Sequence, residues 1–209
     1  MAPAANRRKG SRMSSNRGRR ELSVAALVNR ALQKRLETKV FAQGAIGAAT
    51  TTAGTVVQLT TGISQGDSNS TRTGDQIMIH HLKFYFRFTA VTTSQSVRVV
   101  LFRDRLNQSA LPAVADLLIN GVWISPYTTT KQIQEKRFTI LLDETLDCNI
   151  NGETVKSMTV ERSNIGRCSY TGNAGTASDA GPGALFFIII GSASTGLYDY
   201  ESTIRFTDA

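Results

Sequence analysis

The chain has 209 residues, 41% of them hydrophobic and 19% charged, with 24 lysines and arginines against 16 acids. That length suits one domain with a real core and makes a second unexpected. The longest apolar run, Ala184 to Ile190, falls far short of the about 20 residues a bilayer-spanning helix needs, and the opening residues lack the apolar centre of a secretory signal, so neither a spanning helix nor a leader is expected. Two cysteines, Cys148 and Cys168, give no disulfide framework and no zinc spacing, and are expected as reduced thiols.

The charge is divided unevenly. Eleven of the basic residues fall within the first 39 positions, against Glu21 and Glu37 alone, which leaves 13 basic and 14 acidic residues for the remainder. A segment of net +9 therefore precedes a body of net −1. Residues 1–20 carry Arg7, Arg8, Lys9, Arg12, Arg17, Arg19 and Arg20 with no acid and no aromatic. Such a stretch repels itself and cannot bury enough apolar surface to offset its ordering entropy, so it is expected to be a flexible arm. Cations on an arm suit phosphate, because each contact releases a condensed counterion whatever the base sequence.

From residue 21 to 38 the composition turns to helix formers. Leu22, Ala25, Val28, Leu32 and Leu36 recur at spacings of three and four, which predicts one apolar stripe on an amphipathic helix. Arg30, Lys34 and Arg35 lie off that stripe and continue the positive arm. Docking of the helix on its own domain with solvated charges is the plainer alternative.

Past Lys39 the chemistry becomes that of strands. Residues 42–61, rich in Gly, Ala and Thr, read as a loop leading into a strand at Val56, Val57 and Leu59. Leu82, Phe84, Phe86 and Phe88 alternate with Lys83, Tyr85 and Arg87, the period of two that marks a strand with one buried face. The same alternation appears at Val97, Val99 and Leu101, and again at Phe138, Ile140 and Leu142. Further strands are expected at 154–160, 185–190 and 202–207, with one short helix at 113–119 following Pro112. Many strands between polar turns argue for an all-β sandwich or barrel.

No constellation supports an enzyme. His80 and His81 are strand neighbours, expected on opposite faces and unable to share one metal. The Gly-rich stretch 172–183 lacks the Gly-Lys-Ser/Thr ending of a phosphate-binding loop, and 191–196 misses the spacing of a nucleophile elbow. Asp143 and Glu144 read as surface acids. Gln65-Gly66-Asp67 and Thr73-Gly74-Asp75-Gln76 place hard oxygen donors of the kind calcium prefers in tight loops, although the spacing is not that of an EF-hand and from the residues alone ordinary polar turns are much the favoured reading.

Several strings resemble the coat protein family of satellite tobacco necrosis virus, in the same order along the chain: Asn6-Arg7-Arg8-Lys9, Thr52-Ala53-Gly54-Thr55-Val56, Gln65-Gly66-Asp67, Gly74-Asp75-Gln76, Phe102-Arg103-Asp104, Lys136-Arg137-Phe138-Thr139-Ile140-Leu141, Gly181-Pro182-Gly183-Ala184 and Thr207-Asp208-Ala209. The resemblance implies a single jelly-roll shell domain at 39–209 behind the basic arm. It further implies about 60 copies closing into a T=1 icosahedral capsid. The arm's cations, from Arg7 to Arg35, would meet single-stranded genomic RNA inside a virion assembled in the host cell cytoplasm, and the helices would gather in threes. It also implies calcium at subunit contacts. Glu37 and Asp208 match the acids of one such site, with Thr73 and Gln76 lending carbonyls. Asp67 matches an acid that meets two copies at a three-fold axis, and Asn151 stands where the family has a threonine at a five-fold axis. The competing readings are a cellular single-stranded RNA-binding β-barrel module using Lys83, Tyr85 and Arg87 as a platform, and a β-sandwich hydrolase or lectin, for which no catalytic set or sugar platform is present.

Overall fold

The computed structural model describes residues 37–107, 110–128 and 137–209. The helix expected at 21–38 falls outside these, apart from Glu37 and Thr38, which are not helical. Among the described residues the chain forms eight strands: β1 (Lys39–Ala49), β2 (Thr55–Gln58), β3 (Gln76–Thr89), β4 (Gln95–Asp104), β5 (Phe138–Cys148), β6 (Val155–Ser169), β7 (Ala184–Gly191) and β8 (Leu197–Asp208). One turn of helix, α1 (Val114–Leu117), lies between β4 and β5. It is shorter than the expected 113–119 because Leu118 turns to extended backbone and bridges Tyr127.

The strands form two antiparallel sheets of order β1-β8-β3-β6 and β2-β7-β4-β5. That alternating distribution of eight strands over two sheets is the jelly roll. Strand β3 positions the first sheet: Leu82, Phe84, Phe86 and Phe88 all point inward and are fully buried, as their alternation requires. Phe84 meets Phe187 of the facing sheet at 5.1 Å between ring centroids, and Phe187 packs edge-on against Tyr200 at 4.8 Å.

Every residue of β7 is buried. A strand with no polar alternation must be covered on both faces. Phe187 faces the sandwich interior, whereas Phe186 stacks with Phe102 at 5.6 Å, and Phe102 meets Phe138 edge-on at 5.4 Å. The outer face is roofed by the β4–β5 connection, whose Val114, Leu117, Leu118, Trp123 and Tyr127 join the same apolar cluster. Arg98 fastens this roof to the sheet. It donates from Nε and Nη2 to the two oxygens of Asp143 at 2.8 and 2.7 Å, and from Nη1 to the Ser125 carbonyl. Tyr127 donates to Asp143 at 2.5 Å. A second arginine closes one open side of the sandwich, Arg162 Nε of β6 donating to the Leu141 carbonyl of β5 at 2.8 Å.

Two expectations are corrected. The stretch read as a loop from residue 42 begins inside an eleven-residue strand, β1, in which Lys39 pairs with Phe206 and Ala45 with Tyr200. Its Gly and Ala content has weak strand preference, so pairing with β8 makes it a strand; a bulge between Ala45 and Ala48 carries Gly47 at φ 69°. His80 and His81 are not on opposite faces. The register of β3 slips between Ile79 and His81, both of its neighbours losing step, so inward packing passes from Ile79 to Leu82 and both imidazoles lie outside the core. His80 Nε2 lies 2.9 Å from Thr207 Oγ1.

The guanidinium of Arg98 and, against the opposing effect of burial, the Tyr127 hydroxyl hold the Asp143 carboxyl below the usual aspartate range. A depressed folded-state value stabilises the protein above the unfolded value, and the benefit is lost as pH falls through the folded one. D143N is therefore expected to be less stable than wild type by about 1–3 kcal/mol at neutral pH. The gap should close below about pH 4, where the unfolded carboxyl protonates, in thermal melts across pH.

Candidate functional site

The ten basic residues assigned to RNA contact, Arg7, Arg8, Lys9, Arg12, Arg17, Arg19, Arg20, Arg30, Lys34 and Arg35, lie outside the described residues. What is described is the place where the positive segment enters the domain. Strand β1 starts at Lys39 beside the end of β8, and the loop before β3 folds over both. Val40 N donates to the Asn69 carbonyl at 2.8 Å, and Ala209 N to the Gln76 carbonyl at 3.1 Å.

At this corner Asp208 is held from three directions. Thr73 donates from its backbone N to Oδ1 at 2.9 Å and from its hydroxyl to Oδ2 at 2.7 Å, while Lys39 Nζ stands 2.9 Å from Oδ2. Lys39 also donates to Thr73 Oγ1 at 3.1 Å. The lysine side chain is 4% exposed and the aspartate 27%. Burial raises the Asp208 carboxyl, but donation from Lys39 and Thr73 outweighs it and the net direction is down. Thr73, Gln76 and Asp208 are thus brought together, and their oxygens are hard donors of the type calcium takes. The carbonyl of Thr73 accepts from Gln65 Nε2 at 3.0 Å. Glu37 is exposed two residues before Lys39, and Asp67 is exposed on the tip of the 64–76 loop. Among the described residues no three His, Cys, Asp or Glu side chains group closely enough to hold a metal. The donor chemistry fits a calcium ion, then, but one subunit supplies only part of a coordination shell and already places an ammonium in it.

Asn151 belongs to the other end of the sandwich. It sits in the β5–β6 turn with its backbone N donating to Asn149 Oδ1 at 3.0 Å. Strand β6 meets Thr89 at its start, whereas Asp208 pairs with Ile77, so roughly 40 Å of β3 separates the two places.

The loop carrying Asp67 and Thr73 is fixed by a group the sequence gave no reason to single out. Arg72 is fully buried, lies 4.4 Å over the Tyr170 ring, and donates to the carbonyls of Gly74 and Gly172. Its one acidic partner among the described residues, Asp75 at 3.4 Å, is largely exposed. The arginine thereby ties the 64–76 loop to the segment after β6, with Tyr170 in turn donating to the Thr60 carbonyl at 3.2 Å.

The proposed aromatic and basic platform is charge-balanced. Lys83, Tyr85 and Arg87 do share the outward face of the first sheet, and Lys83 and Tyr85 line a shallow hollow of about 350 Å³ together with Thr159, Glu201 and Thr203. Arg87 is bound to Asp199, with 2.6 Å from Nε to Oδ2, and Lys83 stands 3.7 Å from Glu161. Both cysteines are buried and free, and burial pushes the Cys168 thiol up to about 12, the reverse of the thiolate that nucleophilic or metal chemistry uses.

With this geometry in hand, the comparisons are specific. The family model described as satellite tobacco necrosis virus coat protein matches residues 7–209. The capsid protein of Satellite tobacco necrosis virus 1 is 38% identical over 191 residues, 91% of this chain and 96% of that protein. The coat protein of Satellite tobacco necrosis virus 2 is 39% identical over 186 residues, 89% of this chain and 93% of that protein. Among solved structures, Desmodium yellow mottle tymovirus aligns over 83% of this chain and 88% of its own at 9% identity, with a TM-score of 0.38.

Replacing Arg72 with methionine takes the guanidinium donor from two half-buried carbonyls, of Gly74 and Gly172, and removes the cation over Tyr170. R72M is expected to cost about 2–4 kcal/mol and to open the 64–76 loop to proteolysis, read from denaturant midpoints and cleavage mapping.

Proposed function

The chain belongs to the satellite tobacco necrosis virus coat protein family, and from that premise we propose that it closes into a T=1 icosahedral shell of about 60 copies and packages single-stranded RNA through its basic arm. It is a coat protein, a structural component of the virion. The observation that carries the packaging reading is the division of charge. The first 39 residues bear net +9 and the rest net −1; on the described domain Lys83, Arg87 and Lys156 each have an acid within 4 Å, while exposed Arg105, Arg162, Arg167 and Arg205 are dispersed among the acids of a body that is nearly neutral in sum. The net surplus of positive charge is therefore concentrated in the arm.

If about 60 copies each contribute +9, the interior holds about 540 positive charges, enough to meet a comparable number of phosphates at one released counterion each. A genome able to encode 209 residues exceeds that at three nucleotides per residue, so small ions or polyamines neutralise the remainder. Contacts of this kind read the backbone and not the bases. The arm brings no aromatic side chain for stacking, which favours folded RNA recognised by shape and charge.

Calcium completes the proposal. Asp208 with the carbonyls of Thr73 and Gln76 forms part of a shell that Glu37 of a neighbouring copy would close; Asp67 would gather with two others about a three-fold axis, and Asn151 would lend its carbonyl at a five-fold axis. The ion's contribution is to turn repulsion between carboxylates of adjoining copies into shared attraction. The RNA-binding module reading is less well supported, because the cations of its platform are already paired with Glu161 and Asp199.

Deleting residues 2–20 removes seven of the eleven leading cations. Particles of this variant are expected to hold less than half the RNA of wild type while the domain melts at an unchanged temperature, measured by absorbance of extracted nucleic acid and by calorimetry. Unchanged RNA content would refute the role of the arm. Binding of the full chain to RNA should also weaken steeply as salt is raised.

A further inference from the structure

The corner formed by β1, β8 and the 64–76 loop already contains a cation, and it is the protein's own. An ammonium that is 4% exposed needs a partner to offset its lost hydration. Lys39 finds it in Asp208 Oδ2 at 2.9 Å, with the Thr73 hydroxyl at 3.1 Å as a second acceptor. That same carboxylate is the only charged oxygen group among Thr73, Gln76 and Asp208. A divalent ion drawn to it meets a positive charge on the oxygen it must bind, and the two cannot share that oxygen at bonding distance without strong mutual repulsion.

We propose that Lys39 is an internal counter-ion that competes with a divalent cation for Asp208, so that this corner is held either by the ammonium or by a calcium-class ion completed with oxygens from a second copy. The inference rests on the calcium reading given above and adds what that reading lacks, a competitor within the chain. In the free subunit the ammonium satisfies the carboxylate and ties the first residue of β1 to the end of β8 and to the 64–76 loop. When an ion binds, Lys39 leaves, the tie at the root of the arm is exchanged for a tie between copies, and a positive side chain is returned to the segment preceding the domain. Ion uptake and the charge available to RNA are thereby linked through one residue.

The chemistry of the side chain suits exchange. An ammonium on a four-carbon stem is a point charge that can swing into water, whereas a guanidinium would grip both carboxylate oxygens. The carbonyl oxygens can still serve an incoming ion, since each accepts one hydrogen bond among the described residues, from Gln65 at Thr73 and from Ala209 at Gln76, and each has a second lone pair.

The test is equilibrium dialysis with radioactive calcium on purified full-chain particles of wild type, K39M, K39R and D208N. D208N is expected to lose about one calcium per subunit. K39M is expected to bind the wild-type number about tenfold more tightly, because the competitor is gone. K39R is expected to bind more weakly than wild type. If D208N loses its ion but K39M binds no more tightly than wild type, the competition is refuted and the calcium reading stands. If D208N retains as much calcium as wild type, no ion uses Asp208 and both fall. Should K39M fail to form particles, K39R decides: wild-type affinity there overturns the proposal.

Discussion

Strand β7 leaves no face for water, and most of the molecule follows from that constraint. All eight of its residues are buried. One face closes the sandwich through Phe187, and the other presents an apolar surface that a two-sheet fold alone would expose. The β4–β5 connection exists to cover it, and a connection that serves as a roof must be held at fixed points. Arginines supply these. Arg98 binds Asp143 and the loop carbonyl of Ser125, and Arg137 binds the buried Asp104 at 2.8 Å on the strand beside β7. Arg72, inside the domain, does the same for loops on the other side. A guanidinium suits this role because its planar fork satisfies several acceptors at once and its stem adds apolar packing.

This use of arginine has an electrostatic consequence. Cations committed to internal carboxylates and carbonyls contribute little to the field outside the domain. Lys83 and Arg87, which do face outward, stand against Glu161 and Asp199. The domain is close to neutral in sum, which lets copies of it approach one another without long-range repulsion. The surplus charge resides in a segment that need not be part of the tiled surface. The packing of the sandwich and the surplus of positive charge are assigned to different stretches of sequence, and neither constrains the other.

The strands that emerged from the sequence are those whose packing is regular. Phe84, Phe86 and Phe88 alternate without interruption, and the run from Leu185 to Ile190 has no polar residue to suggest any role except burial on both faces. Strand β1 was not visible because Gly44, Ala45, Gly47 and Ala48 carry no side-chain signal; it is a strand because β8 offers a partner edge. Gly44 shows the reason for the composition, since a Cβ there would collide with the Tyr200 carbonyl of β8. The bulge at His80 was equally hidden, because a register slip is decided by two neighbours at once and not by the strand's own residues. Buried Arg72 lay in a run of polar turn residues that gives no hint of the aromatic ring above it. At the site, Thr73, Gln76 and Asp208 were picked out through family resemblance and do converge.

Lys39 marks the limit of reading charge from sequence. Counted along the chain, it is the last cation of a positive segment and resembles the ten before it. In the fold it occupies an inward position of β1, its neighbour across the pair is Phe206, and its charge is spent on Asp208. The alternation of a strand decides this: Val40 points out and Lys39 points in, so one residue of register separates an anion-seeking side chain from a buried ion pair. The boundary between the positive segment and the β domain is therefore not a linker of neutral composition. It is a single lysine whose charge, in the structure, is committed inward to Asp208.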